Sequence, residues 1–166
     1  KGLEGKFLPV FWSPVHFPRQ AGTMGLLCNT QHAALRHFPT EMHSNWQWWS
    51  IVRHARPFIL NATRHEYKPL IQVVDNVERN HKLGLLFEFA VDNGKVLVCM
   101  SNLEAIRHTP EGGQLRNAIL SYMKSAEFSP TETLTSQQLQ HILTTEVRKQ
   151  DIVGVKNQSD YDVQPE

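Results

Sequence analysis

A chain of 166 residues, 40% hydrophobic and 20% charged, can fill one core but hardly two, and it is too apolar to be disordered throughout. Its formal net charge of +1, with no run of Lys or Arg, excludes the concentrated basic surface that nucleic-acid binding requires. No apolar run is long enough to span a bilayer, and Lys1 to Lys6 offer neither an initiator Met nor a signal-peptide core, so the chain reads as a processed or excised piece.

Taken in order, Phe7 to Trp12 reads as a short strand interrupted by Pro9, which favours a sheet edge. Pro14, Phe17 and Pro18 mark an extended loop, and Met24 to Cys28 is a second short apolar run. Thr30 to Phe38 reads as a short helix stopped by Pro39. Asn45 to His54 is helical or irregular, and Phe58 to Leu60 and Leu70 to Val74 read as strands. Leu83 to Val91 is almost continuously apolar, Val91 to Gly94 supplies a tight turn, and Lys95 to Met100 is apolar again. This pattern predicts an antiparallel hairpin buried on both faces.

Two helices close the chain. Thr109-Pro110-Glu111 provides an N-cap, a proline at the first helical position and an acid near the positive end of the dipole. Leu115, Ala118, Ile119, Tyr122 and Met123 then share one face. In the second helix Thr135 and Gln138 form a capping box, Leu134 and Leu139 a hydrophobic staple, and Leu139, Ile142, Leu143 and Val147 the apolar face. The expected architecture is α/β, a three-layer sandwich around a mixed sheet with a C-terminal antiparallel hairpin and two closing helices. Residues 1–150 form one domain in this reading, and 151–166 a polar tail.

The chemistry is sparse. A glycosidase needs two carboxyl groups about 5 Å apart for retention or about 6.5–9.5 Å for inversion. Glu41, Glu66, Asp75, Glu78 and Glu88 are available, but the sequence gives no reason to pair any two of them. Glu88 lies inside an apolar strand, which predicts a buried, hydrogen-bonded structural carboxylate. Neither Cys28 nor Cys99 has the flanking small residues of a nucleophile elbow, and both read as buried free thiols. Nine histidines include no metal-binding spacing, and His32, His37 and His43 have no sequence reason to converge. No phosphate loop is present, so no catalytic residue, metal or cofactor is assigned.

One segment is unusual: three of the four tryptophans fall within Trp46 to Trp49. Three side chains so close cannot all enter one core from regular backbone, so at least one belongs near a surface or an interface. Two readings stand. The cluster seals the module against a neighbouring domain or the sheet, or His43, Asn45, Trp46, Gln47, Trp48 and Trp49 form a carbohydrate-binding face.

The same residues carry a resemblance. Pro9 to Trp12, Phe38-Pro39-Thr40, His43 to Trp49, Ile71 to Asn76, Lys82 to Glu88 and Gly94 to Cys99 occur in an order that resembles the C-terminal region of bacterial family 2 glycoside hydrolases, the β-galactosidase and β-glucuronidase type. The resemblance spans roughly Phe7 to Met123; the residues after Phe128 lie outside it. It implies an accessory module, similar in pattern to glutamine-amidotransferase-like or flavodoxin-like domains without their catalytic residues, whose first strands would precede Lys1. In that family the catalytic glutamates lie in an upstream barrel, and nothing here matches its Asn-Glu motif. The implied role is packing or oligomerisation within a carbohydrate-degrading enzyme. A carbohydrate-binding module and a stand-alone small hydrolase are the alternatives. The implied partners are upstream domains of the same polypeptide, a second copy of the chain or carbohydrate, with no nucleic acid and no membrane, in a periplasmic or extracellular setting.

Overall fold

The computed structural model describes residues 25–75 and 80–144. The strand expected at Phe7 to Trp12, the loop after it, Val147 and the polar tail lie outside the described residues.

The described residues form an α/β sandwich around a six-stranded mixed sheet. The strands are β1 (Gly25–Cys28), β2 (Phe58–Ile59), β3 (Ile71–Val74), β4 (Lys82–Val91), β5 (Gly94–Cys99) and β6 (Thr133–Leu134). The helices are α1 (Trp49–Arg53), α2 (Pro110–Lys124) and α3 (Ser136–Thr144). β4 is the centre: β3 and β2 flank its first half, while β5 and β6 flank its second. Every pairing is antiparallel except β4 with β6.

The hairpin forms as expected. Asp92 takes a positive φ of 49° in the turn, and Val91 pairs with Gly94. Burial is uneven, however. β4 is buried on both faces, whereas β5 lies on the outer side of the pair and is only half-buried. Between Ile71 and Gln72 the β3–β4 register shifts by one residue, leaving Leu85 as the extra residue of a bulge. Leu83, Leu85 and Leu86 therefore join one core cluster, and Phe87 and Phe89 the other.

The first cluster lies under α1, α2 and the turn at Ala33–Leu35, and includes Trp48, Ile51, Leu115 and Ile119. α2 buries Leu115, Ala118, Ile119 and Tyr122 but leaves Met123 exposed, contrary to the expected face. The second cluster gathers Phe58, Leu60, Phe87, Phe89, Leu134 and Ile142. The capping box of α3 is reciprocal: Gln138 N–H donates to Thr135 Oγ1 at 3.1 Å, and Thr135 N–H to Gln138 Oε1 at 2.8 Å. Leu134 and Leu139 both pack in the second cluster, but Leu143 is exposed.

The helix expected over Thr30 to Phe38 is reduced to a single 3-10 turn, Ala33–Leu35. Arg36 and Phe38 donate to carbonyls three residues back, which tightens the chain and brings Phe38 edge-on to Trp48 at 5.1 Å. Asn45 to His54 is a 3-10 turn, Trp46–Trp48, running into α1.

Candidate functional site

The tryptophan segment divides its three indoles. Trp48 is fully buried, with its ring against Phe38 and its Nε1–H donating to Thr40 Oγ1 at 2.8 Å. Trp49 is half-buried, with the Arg53 guanidinium 5.5 Å over its ring. Trp46 is 74% exposed and tilts against Trp49 at 6.0 Å. The polar neighbours are engaged locally. Asn45 Oδ1 accepts from Gln47 N–H as a cap, Gln47 Nε2 donates to Pro39 O, and His43 faces Glu41 at 3.3 Å on the surface. The segment also covers β1: Leu27 bridges to His43, and Cys28 N–H donates to Met42 O. Leu27 and Met42, beside it, are exposed.

A second site emerges from the sheet itself. On one side of β4, β3 stops pairing at Leu86 and β6 starts at Ala90. Between them the N–H and C=O of Glu88 have no strand partner. The Tyr67 hydroxyl takes that place, donating to Glu88 O at 2.9 Å and accepting from Glu88 N–H at 3.3 Å. A cleft of about 240 Å³ opens at this gap, lined among others by His32, Arg64, Lys68, Glu88 and Glu132.

The Glu88 side chain crosses to the α2 face, where it is 6% exposed and accepts from Tyr122 Oη at 2.9 and 3.1 Å. Burial, and then this bond to a carboxylate, raise the Tyr122 phenol above its ordinary range. Burial does the same to Tyr67. His32 Nδ1 accepts from Ala34 N–H at 3.3 Å, and its Nε2 lies 3.6 Å from Glu88 Oε1. The His32 ring meets Tyr122 edge-on at 5.3 Å. Across the cleft, Glu132 is 4% exposed and held by a forked set of bonds from Arg64.

The expected hydrogen-bonded burial of Glu88 is thus found, and Glu66 lines the same cleft. Glu41 is instead with His43, and Asp75 accepts from His81 N–H. Glu78 lies outside the described residues. His32, Arg64, Tyr67 and Glu132 carried no spacing signal. An acid inside an apolar strand was the one clue, since it demands donors from elsewhere in the chain.

A family model described as "Domain of unknown function (DUF8487)" matches residues 1–144. The chain belongs to that family. No curated protein matches it. Among the described residues no helix is long and apolar enough to cross a membrane, and no group of His, Cys, Asp and Glu is placed to hold a metal ion.

Both cysteines are free. Cys28 is buried as expected, whereas Cys99 keeps partial exposure. Burial pushes the Cys28 thiol from 9.0 up to about 12, against a smaller lowering by Thr40. Cys99 rises to about 11 for the same reason, although its residue is not fully covered. Groups whose folded pKa is raised favour the fold below their unfolded values and lose that contribution as pH climbs. Chemical denaturation should therefore show stability falling as pH rises from about 9 towards about 12, with Tyr67 and Tyr122 acting in the same direction. At neutral pH iodoacetamide should modify Cys28 only after denaturant is added.

Proposed function

We propose that this chain is a non-catalytic accessory module of a carbohydrate-degrading polypeptide, seated through Trp46 and the apolar residues beside β1 against another domain of that polypeptide. The observation that carries the reading is the division of labour in the tryptophan segment. Trp48 anchors it, and Asn45 and Gln47 are engaged in its own backbone, while Trp46, Met42 and Leu27 stand in solvent. Exposed large apolar side chains beside a sheet edge suit a protein neighbour, and an aromatic anchor is the usual centre of such a contact. The carbohydrate context rests on the ordered blocks of resemblance to family 2 glycoside hydrolases.

A second reading has its own support. The open indole of Trp46, with Trp49 beside it and Arg53 stacked on Trp49, offers an aromatic face with a charged rim. This is the carbohydrate-binding alternative.

Two measurements separate them. Hydroxyl-radical footprinting should find Trp46 protected in the native full-length polypeptide and reactive in the isolated chain. Titration of the isolated chain with oligosaccharides should leave tryptophan fluorescence unchanged up to millimolar concentration. A micromolar isotherm that Trp46→Ala abolishes without lowering Tm would replace docking with carbohydrate binding.

A further inference from the structure

The cleft in the sheet has no part in docking through Trp46, and its electrostatics are unbalanced. Three carboxylates, Glu66, Glu88 and Glu132, face two permanent cations, Arg64 and Lys68, across its walls. Arg64 is already forked onto Glu132. Glu88 is the most enclosed acid left, and among the described residues no Lys or Arg lies within 4 Å of it. Its close neighbours are the Tyr122 hydroxyl and, at 3.6 Å, His32 Nε2. A carboxylate offers about four lone-pair sites, and the single Tyr122 proton cannot fill them. Burying such a group with no permanent cation beside it is unfavourable.

We propose that the cleft binds a small hydroxylated molecule through a protonated amine, with Glu88 as its carboxylate partner. An ammonium supplies the missing charge and three donors directed at one point. An anion would meet net negative walls, and an apolar ligand would strip water from polar groups without replacing it. The volume of about 240 Å³ falls below the roughly 300–1,000 Å³ of drug-sized ligand sites, which restricts the occupant to something near a monosaccharide or smaller. Asn29, Glu66 and Lys68, exposed on the cleft wall, offer both donors and acceptors to hydroxyl groups. Tyr67 and Tyr122 hold Glu88 from its backbone and its carboxyl end, so the acceptor is fixed before the ligand arrives.

The test is calorimetric titration of the whole chain with four probes: glucosamine, ethanolamine, N-acetylglucosamine and glucose. The proposal expects glucosamine to bind at least about tenfold more tightly than N-acetylglucosamine or glucose, which match its hydroxyls but lack its charge. Binding of ethanolamine as well would mark the site as one for amino alcohols in general, and its failure would mark amino sugars. Glu88→Gln preserves shape and an acceptor for Tyr122, and should remove the preference for the amine. The wild-type contrast between free and acetylated amine stands even if that variant folds poorly. Equal affinity for the charged and neutral sugars, or no heat from either amine, would overturn the proposal.

Discussion

Trp48→Ala should lower stability by about 3–5 kcal/mol in urea or thermal unfolding, the largest loss expected from a single truncation here. The side chain is fully buried, its ring meets Phe38, and its indole N–H binds Thr40. Its removal leaves a cavity where the tryptophan segment joins the first core cluster and deprives the Thr40 hydroxyl of a donor. Trp46→Ala, at an indole 74% exposed, should change Tm little. A small loss at Trp48 would mean that the segment is held by its backbone bonds alone.

Gly112→Ala should destabilise the protein by about 1–3 kcal/mol, reversing the usual sign. Replacing glycine by alanine inside a helix ordinarily gains about 1 kcal/mol. Here an added Cβ would lie 2.2 Å from Ile106 O and 2.8 Å from its Cγ1. The chain before α2 turns back at Ile106 to Thr109, where Thr109 donates twice to Ile106 O and caps Gly112 N–H. Backbone cannot retreat as a flexible side chain can, so the first turn of α2 must move. Thermal melts of this variant beside Gly94→Ala, whose added Cβ approaches nothing closer than 3.5 Å, separate local crowding from the general effect of losing glycine.

The two glycines of α2 show where sequence reading stops. Read locally, they weaken a helix start, and nothing in Thr109-Pro110-Glu111 reveals that Ile106 folds back against it. Features built from neighbours in the chain were legible: the Asp92 turn, the capping box of Thr135 and Gln138, and the core side of α2 as far as Tyr122. Met123 and Leu143 were misread because helical periodicity gives a direction but not the width of the surface that covers it. The candidate cleft was visible only as the misplaced acid Glu88. Its other members come from loops and strand ends far apart in the chain: His32 before a 3-10 turn, Tyr67 before β3, Glu132 before β6. Only the sheet pairing brings these together. The tryptophan segment was rightly marked as unable to bury all its rings, but not which ring faces outward.

The bulge at Leu85 decides more than a local bend. Counting along an uninterrupted strand, odd-numbered residues from Leu83 onward would share one face of the sheet and even-numbered ones the other. The extra residue swaps the two sets halfway along β4: Leu83 and Glu88 lie on the same side although one number is odd and the other even. Without that swap Phe87 and Phe89 would crowd beneath α2, and the Glu88 carboxylate would point among Phe58 and Leu60, away from Tyr122 and His32. Loss of one residue at the bulge would restore plain alternation and keep every later side chain on its present face. Gain of one residue between there and Glu88 would invert them all. The faces thus survive a change of length in one direction only, and at the present length of β4 the bulge is what turns the Glu88 carboxylate towards Tyr122 and His32.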